Sequence, residues 1–282
     1  MITIEEHKLV STTDGPEISF EESPNQSGEF KDGLPDTIVM HYTAGSSMAS
    51  SVNWLKNPKA KASAHLVIGK SGKIVQLAPF NRITWHAGRS RWNKRKGLNT
   101  YSIGIELDNA GVLEKRADGY YTHFGEPVGD DRVVLARHKH EQQENAWEAY
   151  TEVQLRVVIE LCMALTEHYN IVELLGHDDI SPRRKRDPGP AFPLEQLREK
   201  VLFGRKVAQE SEVDMETVTD ASGGIVLAEY LNIRSSPSIQ ATRVSEPLPK
   251  GTTLKIVEQK GQWSYVKTDI EGWVNTKWIK TF

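Results

Sequence analysis

Apolar residues in the first two thirds of the chain fall into short runs that predict buried β-strands. DTIVMHYTAG (36–45) is a β-branched run that ends in a turn signal, and it places His41 at the C-terminal end of the strand. AHLVIGKSGKIVQLAP (64–79) has the pattern of two strands joined by a KSGK hairpin turn. YSIGIELDNAG (101–111) alternates apolar and other residues, so Glu106 is predicted on the face opposite its isoleucines.

Apolar stripes at helical spacing separate these strands. The clearest lies in TEVQLRVVIELCMALTEHYN (151–170), where Thr151 and Gln154 have the spacing of a capping box. The run IVELLGH then predicts a short strand that ends at His177, and Pro193 opens a final helix. Strands that alternate with helices predict an α/β domain, with a mixed central sheet packed by helices.

The pattern changes at both ends of this α/β region and within it. Residues 1–17 are predicted to be an N-terminal arm, and the α/β domain is assigned to 18–205. The polar stretch 111–150 within that domain is predicted to be an irregular insertion. An acidic and then glycine-rich linker follows at 206–222. Short β-rich runs between turn signals at 223–282 predict a small all-β barrel.

Length and charge narrow the classes of function. The 282 residues carry a formal net charge of −3 with a pI near 6.3, which gives no global electrostatic reason to bind nucleic acid. No apolar run approaches the roughly 18 residues that a membrane span needs. The N-terminal residues are acidic where a signal peptide is basic, so no signal peptide is expected. Cys162 is the only cysteine, so any metal is expected on histidine and carboxylate ligands.

Three strand ends carry residues that can bind a metal or move a proton. Functional sites in α/β folds lie at strand ends and in the loops that follow, and there the sequence places His41, Glu106 and a loop with His177 and Asp187. Two histidines and one carboxylate, with water in the fourth position, form a known type of catalytic zinc centre. Spacing alone leaves open a structural role for either histidine and a surface role for Glu106.

A second histidine pair lies outside these strand ends. His138 and His140, in RHKH, are a rival pair of metal ligands. They belong to the polar insertion, so we expect them on the solvated surface.

Four motifs, in order along the chain, resemble a known enzyme family. IVMHYTAG, TWHAG, YSIGIEL and GHDDISPRRKRDPGP resemble the pattern of the zinc-dependent N-acetylmuramoyl-L-alanine amidases of the type-2 family. Peptidoglycan recognition proteins and certain phage lysins are relatives of that family. The resemblance covers residues 18–205.

This resemblance assigns roles to five residues. It implies that His41, His177 and Asp187 bind Zn²⁺, that Glu106 is the catalytic glutamate and that Lys185 is the catalytic lysine. The chemistry is consistent, because zinc polarises an amide carbonyl and lowers the pKa of its water toward about 7. The glutamate is suited to carry a proton from that water to the departing amine, and the lysine to stabilise an oxyanion.

The same motifs contain residues expected to contact substrate without taking part in the chemistry. By position in the family pattern these are Tyr42, Trp85, His86, Asn99 and Arg184.

The C-terminal segment resembles the bacterial SH3-like domain through LNIRSSPS, a Gly-Thr turn, GQWSYV and EGWV. That family binds cell-wall peptides, which implies a targeting role here. The alternative for Trp263 and Trp273 is that they pack in the core of the small barrel.

Together these features predict an enzyme that hydrolyses the amide between N-acetylmuramic acid and L-alanine in peptidoglycan or muropeptides. The alternative is a non-catalytic peptidoglycan-binding protein, since some members of the fold have lost zinc ligands. Nucleic acid is not an expected partner, and no oligomeric state is specified. We expect action at the bacterial cell wall, periplasmic or extracellular, by a protein made in the cytoplasm and then released or delivered.

Overall fold

The computed structural model describes residues 2–203, 222–227, 230–237, 244–245, 247–260, 263–268, 271–275 and 279–281. The chain divides into two compact units, Met1–Leu202 and Phe203–Phe282. The strands of the first unit are β1 (Ile2–Glu5), β2 (Lys8–Ser11), β3 (Ile18–Phe20), β4 (Gln26–Glu29), β5 (Thr37–Tyr42), β6 (Leu66–Ile68), β7 (Ile74–Gln76), β8 (Arg82–Thr84), β9 (Arg91–Trp92), β10 (Arg95–Lys96), β11 (Ser102–Leu107), β12 (Val112–Arg116), β13 (Gly119–Tyr121), β14 (Pro127–Val128), β15 (Val133–Arg137), β16 (Glu144–Glu148) and β17 (Glu173–Gly176). Its helices are α1 (Met48–Leu55), α2 (Glu152–His168), α3 (His177–Ile180) and α4 (Leu194–Arg198), with 3-10 turns at Pro58–Ala60, Leu98–Thr100 and Asp130–Arg132 and a π-helical turn at Glu199–Phe203.

The first unit is built on a six-stranded mixed sheet in the order β17-β5-β11-β6-β7-β3. The pair β6 and β7 is antiparallel, and the other neighbours are parallel. This confirms the predicted mixed sheet with helices packed on it. The capping box of α2 also forms as predicted, because Thr151 Oγ1 accepts from Gln154 N and the Gln154 side chain accepts from Thr151 N.

The alternation of side chains along the strands separates a packing face from a functional face. Ile38 and Met40 of β5 and Ile103 and Ile105 of β11 pack with the apolar side of α2 in the main core. The intervening positions point the other way, so His41 and Glu106 lie on the face that α2 does not cover. The predicted placement of Glu106 opposite the isoleucines is therefore correct.

Strand register brings the candidate residues together. In the parallel pair β5 and β11, Glu106 lies directly opposite His41. In the pair β17 and β5, Gly176 lies opposite Met40, so the next residues, His177 and His41, are neighbours at the same sheet edge. The carboxyl ends of three adjacent parallel strands thus meet at one place, as is usual for sites in such sheets.

The N-terminal residues form an antiparallel hairpin of β1 and β2. Ile2 and Leu9 are buried in the main core, in the same cluster as Leu161 of α2. Residues 2–11, which we expected to be an arm, therefore pack as part of the first unit.

The insertion between β11 and α2 is a five-stranded antiparallel sheet in the order β14-β13-β12-β16-β15, so the prediction of an irregular segment is wrong. Its own apolar core is small and contains Ala110, Leu113, Val128 and Ala146. Its strands are only two to five residues long and three of them end in charged residues, which explains why the hydrophobic pattern did not indicate a sheet.

The second unit contains the strands β18 (Ser222–Val226), β19 (Tyr230–Leu231), β20 (Leu248–Pro249), β21 (Thr253–Lys260), β22 (Trp263–Lys267), β23 (Glu271–Asn275) and β24 (Ile279–Thr281). Five of them form an antiparallel sheet in the order β23-β22-β21-β18-β24, as expected for a β-rich module. Apart from Ser222, the predicted linker lies outside the described residues.

The aromatic residues of this unit are only partly described. On β22 the alternating positions Ser264 and Val266 are buried, and Trp263 is half-buried on the other side of the strand. Trp263 therefore flanks the core instead of filling it. The side chain of Trp273 lies outside the described residues.

Among the described residues, no helix has the length and apolar character needed to cross a membrane.

Candidate metal centre

Three side chains converge at the carboxyl edge of the sheet: His41 at the end of β5, His177 directly after β17, and Asp187 in the loop that follows α3. The two Nδ1 atoms of His41 and His177 are 2.9 Å apart. Asp187 Oδ2 lies 3.0 Å from the first and 2.8 Å from the second. All three residues are buried, and in the part of the chain that the structure describes they form the one group of three with the geometry to hold a metal ion.

The donor set fits a zinc ion. Ligand atoms around a tetrahedral zinc lie about 3.3 Å from one another, given bonds of about 2.0–2.1 Å. The three distances here are a few tenths of an ångström shorter, so small outward shifts of the side chains suffice. A set of two nitrogens and one carboxylate oxygen also leaves the fourth position of a catalytic zinc to water or substrate.

Hydrogen bonds behind the ligands fix which imidazole nitrogen is available to a metal. His177 Nε2 donates to the Ala87 carbonyl at 3.2 Å. His41 Nε2 lies 3.0 Å from His86 Nδ1, and His86 Nε2 lies 3.2 Å from the Ser102 carbonyl. The carbonyl at the end can only accept, so the network assigns each proton to Nε2. This leaves the Nδ1 atoms of both ligands free, which is how outer partners orient metal-binding histidines.

Gly104 makes room for this arrangement. A Cβ atom on Gly104 would lie 2.3 Å from the His86 ring, so the ring packs flat on the β11 backbone where no side chain intervenes. His86, which we expected to contact substrate, borders the cleft with 8% of its surface exposed and supports His41 from behind.

Burial favours the neutral form of His41. The partners of Asp187 favour its charged form. Desolvation, helped by the nearby His177, lowers the pKa of His41 to about 4. Burial alone would raise the pKa of Asp187, but His177 and His41 stabilise its charged form when they carry a second proton, and this outweighs burial and holds that pKa well below its usual range. A neutral imidazole and an ionised carboxylate are the protonation states that bind a metal.

Glu106 lies beside the three ligands with an unused acceptor. Its Oε2 atom is buried and has no hydrogen-bond partner among the described residues. Burial and the negative charge of Asp187 raise the pKa of Glu106 well above its ordinary value, while Lys185 opposes the shift. A carboxylate with a raised pKa and a free oxygen is suited to accept a proton and release it again.

In the loop after α3, the three consecutive basic residues 184–186 make different contacts. Arg184 donates to the carbonyls of Ala87 and Arg89 and to Ser181 Oγ, so it holds the neighbouring loop of its own chain. Lys185 lines the cleft with Glu106. Arg186 also lines the cleft and pairs with Glu141 at 2.6 Å.

The site opens into a cleft of about 530 Å³. Its lining includes most of the residues that we expected to contact substrate, namely Tyr42, Trp85, His86 and Arg184. Asn99 is not among the lining residues, and its Oδ1 accepts from the backbone N–H of Ala87 at 2.7 Å. Trp54 of α1 also lines the cleft and is 58% exposed. Its position beside Val52 and Leu55, but off their apolar stripe, is the sequence signal that could have identified it.

The prediction for the second histidine pair is wrong for His138 and correct for His140, which is exposed. His138 is buried, and its Nε2 lies 2.9 Å from Asp178 Oδ2. His140 donates from Nε2 to the Asp178 carbonyl at 3.0 Å. Both histidines contact Asp178, the residue after His177. Asp178 lies 40 positions from His138 in sequence, so no local pattern indicated the contact.

Sequence profiles of two known families match separate parts of the chain. The profile of the N-acetylmuramoyl-L-alanine amidase family matches residues 31–190, which include His41, Glu106, His177, Lys185 and Asp187. The profile of the bacterial SH3 domain matches residues 229–280. The sequence resemblances of both regions are thereby confirmed.

Two curated Escherichia coli (strain K12) proteins are similar to the first region. The 1,6-anhydro-N-acetylmuramyl-L-alanine amidase AmpD is 32% identical over 140 residues, which cover 49% of this chain and 57% of AmpD. The N-acetylmuramoyl-L-alanine amidase AmiD is 32% identical over 170 residues, which cover 57% of this chain and 51% of AmiD. The chain thus spans about half the length of the curated relatives it matches.

A solved structure shows the same fold. The crystal structure of a selenomethionine derivative of AmpD superposes with a TM-score of 0.50 at 25% identity, covering 70% of this chain and 98% of that chain. Since the family profile spans more than half of the 282 residues and includes the whole candidate metal centre, the chain belongs to the N-acetylmuramoyl-L-alanine amidase family.

Proposed function

We propose that this chain is a zinc-dependent amidase that hydrolyses the bond between N-acetylmuramic acid and L-alanine in peptidoglycan or its muropeptide fragments. The observation that carries the proposal is the complete set of groups in one cleft. His41, His177 and Asp187 offer metal ligands, and Glu106 and Lys185 face the same space. The names of the two Escherichia coli relatives describe the same amide bond.

Each group has a distinct part in the proposed reaction. Zinc, when bound, polarises the amide carbonyl and acidifies a water molecule. Glu106 takes the proton of the attacking water on its free carboxylate oxygen. It then delivers that proton to the nitrogen of L-alanine, which must be protonated to leave as an amine. The Lys185 ammonium stabilises the negative charge that develops on the carbonyl oxygen.

The alternative is a recognition protein that binds peptidoglycan without cleaving it. Such a role does not require a proton-transfer group. The structure buries the Glu106 carboxylate beside the metal ligands at a cost in solvation, without giving Oε2 a partner. That cost is understandable in an enzyme and serves no purpose in a binding module, so we favour catalysis.

We further propose that residues 18–205 form the catalytic domain, and that 223–282, after a linker at 206–222, bind the cell wall. The match of 229–280 to the bacterial SH3 domain supports this assignment. The expected place of action is the bacterial wall, outside the cytoplasmic membrane.

A defined substrate tests the proposal. Incubation with a purified muramoyl peptide should release the stem peptide and the free sugar acid, identified by mass. Chelation of the metal should abolish turnover, and added Zn²⁺ should restore it. Parallel assays on 1,6-anhydro and ordinary muramoyl peptides give the sugar preference. Binding of both substrates without cleavage by the zinc-loaded protein would instead establish the recognition alternative.

A further inference from the structure

The insertion 112–148 reaches the metal-ligand loop through Asp178, the residue after His177. Three of its side chains hold this one aspartate. His138 Nε2 lies 2.9 Å from Asp178 Oδ2, and His140 Nε2 donates to the Asp178 backbone carbonyl at 3.0 Å. Lys139 Nζ forms an ion pair with Asp178 Oδ1 at 2.8 Å and donates a hydrogen bond to Asp179 Oδ1 at 2.6 Å. Asp178 and His138 are buried, so the contact between them is shielded from water, whereas Lys139 and His140 are exposed.

Asp178 in turn connects two metal ligands. It follows His177 directly, and its backbone N–H donates to the Asp187 carbonyl at 2.8 Å. A shift of Asp178 therefore moves the backbone at both ligands at once.

A second contact of the insertion holds the other end of the loop. Arg186, which precedes Asp187, pairs with Glu141 at 2.6 Å, and its guanidinium lies 5.1 Å from the centre of the Trp147 ring. Trp147 also packs against Gly189, where an added Cβ would lie 2.7 Å from the ring. The insertion thus holds the loop on both sides of Asp187.

The position of Trp147 indicates that the insertion packs tightly against the metal-ligand loop. Trp147 is the largest fully buried side chain of the first unit, yet the insertion's own apolar cluster consists of small or medium residues. The insertion places its main aromatic residue against the metal-ligand loop.

We propose that the insertion is a positioning element for the metal centre: His138, Lys139 and His140 hold Asp178, and Glu141 and Trp147 hold Arg186, so that His177 and Asp187 keep the geometry that binds metal. The inference depends on the proposed metal site but not on the amide substrate. None of these positioning residues touches a ligand side chain, so they act through the backbone that carries the ligands.

Zinc affinity measured by competition with a chromophoric chelator tests this directly. Lys139→Met removes the cation at Asp178, and Glu141→Gln removes the carboxylate at Arg186. We expect each variant to bind zinc several-fold to about 10-fold more weakly, at the low end of the losses seen for outer partners of metal ligands.

A matched control comes from the same insertion. Arg116 forms a surface ion pair with Glu114 at 3.2 Å on β12, so Arg116→Met should leave zinc affinity unchanged. At saturating zinc, Lys139→Met and Glu141→Gln should lower kcat more than they raise KM, since neither Lys139 nor Glu141 lines the cleft. Wild-type zinc affinity in both folded variants, as judged by circular dichroism, would overturn the inference. Since the affinity is measured without substrate, absence of amidase activity in the wild type would count against the proposed function alone.

Discussion

At the scale of single residues, the least expected feature is how the basic side chains of GHDDISPRRKRDPGP (176–190) are used. Charge alone suggests a patch for an anionic partner. Instead, Arg184 and Arg186 bind groups of the same chain, and Lys185 lines the cleft beside Glu106. The two arginines, which also border the cleft, thereby fix the backbone on either side of Lys185, the cation that we propose to act on substrate.

Glu106→Gln gives the sharpest test at this scale. Gln keeps the size of the side chain but cannot carry the proton, so we expect kcat to fall by roughly 10²-fold or more with zinc content unchanged. Activity on a defined muramoyl peptide and metal analysis measure the two effects. Glu114→Gln, on the exposed side of β12, is the matched control and should retain full activity. Near-wild-type turnover of Glu106→Gln would assign this glutamate to the scaffold.

At the scale of elements, the metal-ligand loop and the insertion pack against each other at Gly189. Its φ of +74° lies in the left-handed region, and Trp147 fills the space where a side chain would begin. Gly125 has a similar φ of +91° in the insertion, but nothing lies within 4 Å of its missing Cβ. Substitutions at these two glycines can therefore be compared to distinguish the cost of backbone strain from the cost of close packing.

We predict that Gly189→Ala destabilises the protein more than Gly125→Ala does. Both substitutions incur about 1–2 kcal/mol for a left-handed alanine, and only the first adds about 1–3 kcal/mol of overpacking against Trp147. The melting midpoint of Gly189→Ala, followed by calorimetry, should be lower than that of Gly125→Ala by about 3 °C or more. Equal melting midpoints would mean that Trp147 can move away from the added methyl group without a loss of stability.

Some elements could be predicted from the sequence and others could not, for physical reasons. The strand that carries His41 is a largely apolar run, the strand that carries Glu106 alternates apolar and other residues, and the capping box marks the start of α2. The insertion strands bury little and are rich in charge, so their pattern resembles a loop. The contacts of His138 and Lys139 depend on partners about 40 residues away, which local patterns do not encode.

At the scale of the whole molecule, the two units have separate apolar cores. The main core of the first contains the sheet and α2, and that of the second contains residues from Val226 to Ile279. The two family matches likewise fall in different units. Separate cores are expected to fold and function as separate domains.

We therefore predict that deletion of residues 223–282 separates cleavage from attachment. The truncated chain should cleave a soluble muramoyl peptide at close to the full rate, because the cleft residues all lie in the first unit. Its retention on purified sacculi in a sedimentation assay should fall clearly below that of the full chain. Unchanged retention would remove the targeting role from the C-terminal barrel.

The three ligand atoms that lie within 3.0 Å of one another also bear on folding. Lone pairs brought this close repel unless a cation or protons lie between them, and the unfolded chain has no such crowding. If the site binds zinc as proposed, zinc binding and folding are coupled equilibria. At a free zinc concentration 100 times the dissociation constant, the folded state gains about 2.7 kcal/mol. The metal that supplies the chemistry would thus also serve as a cross-link between β5, β17 and the loop, and protein lifetime would follow metal supply.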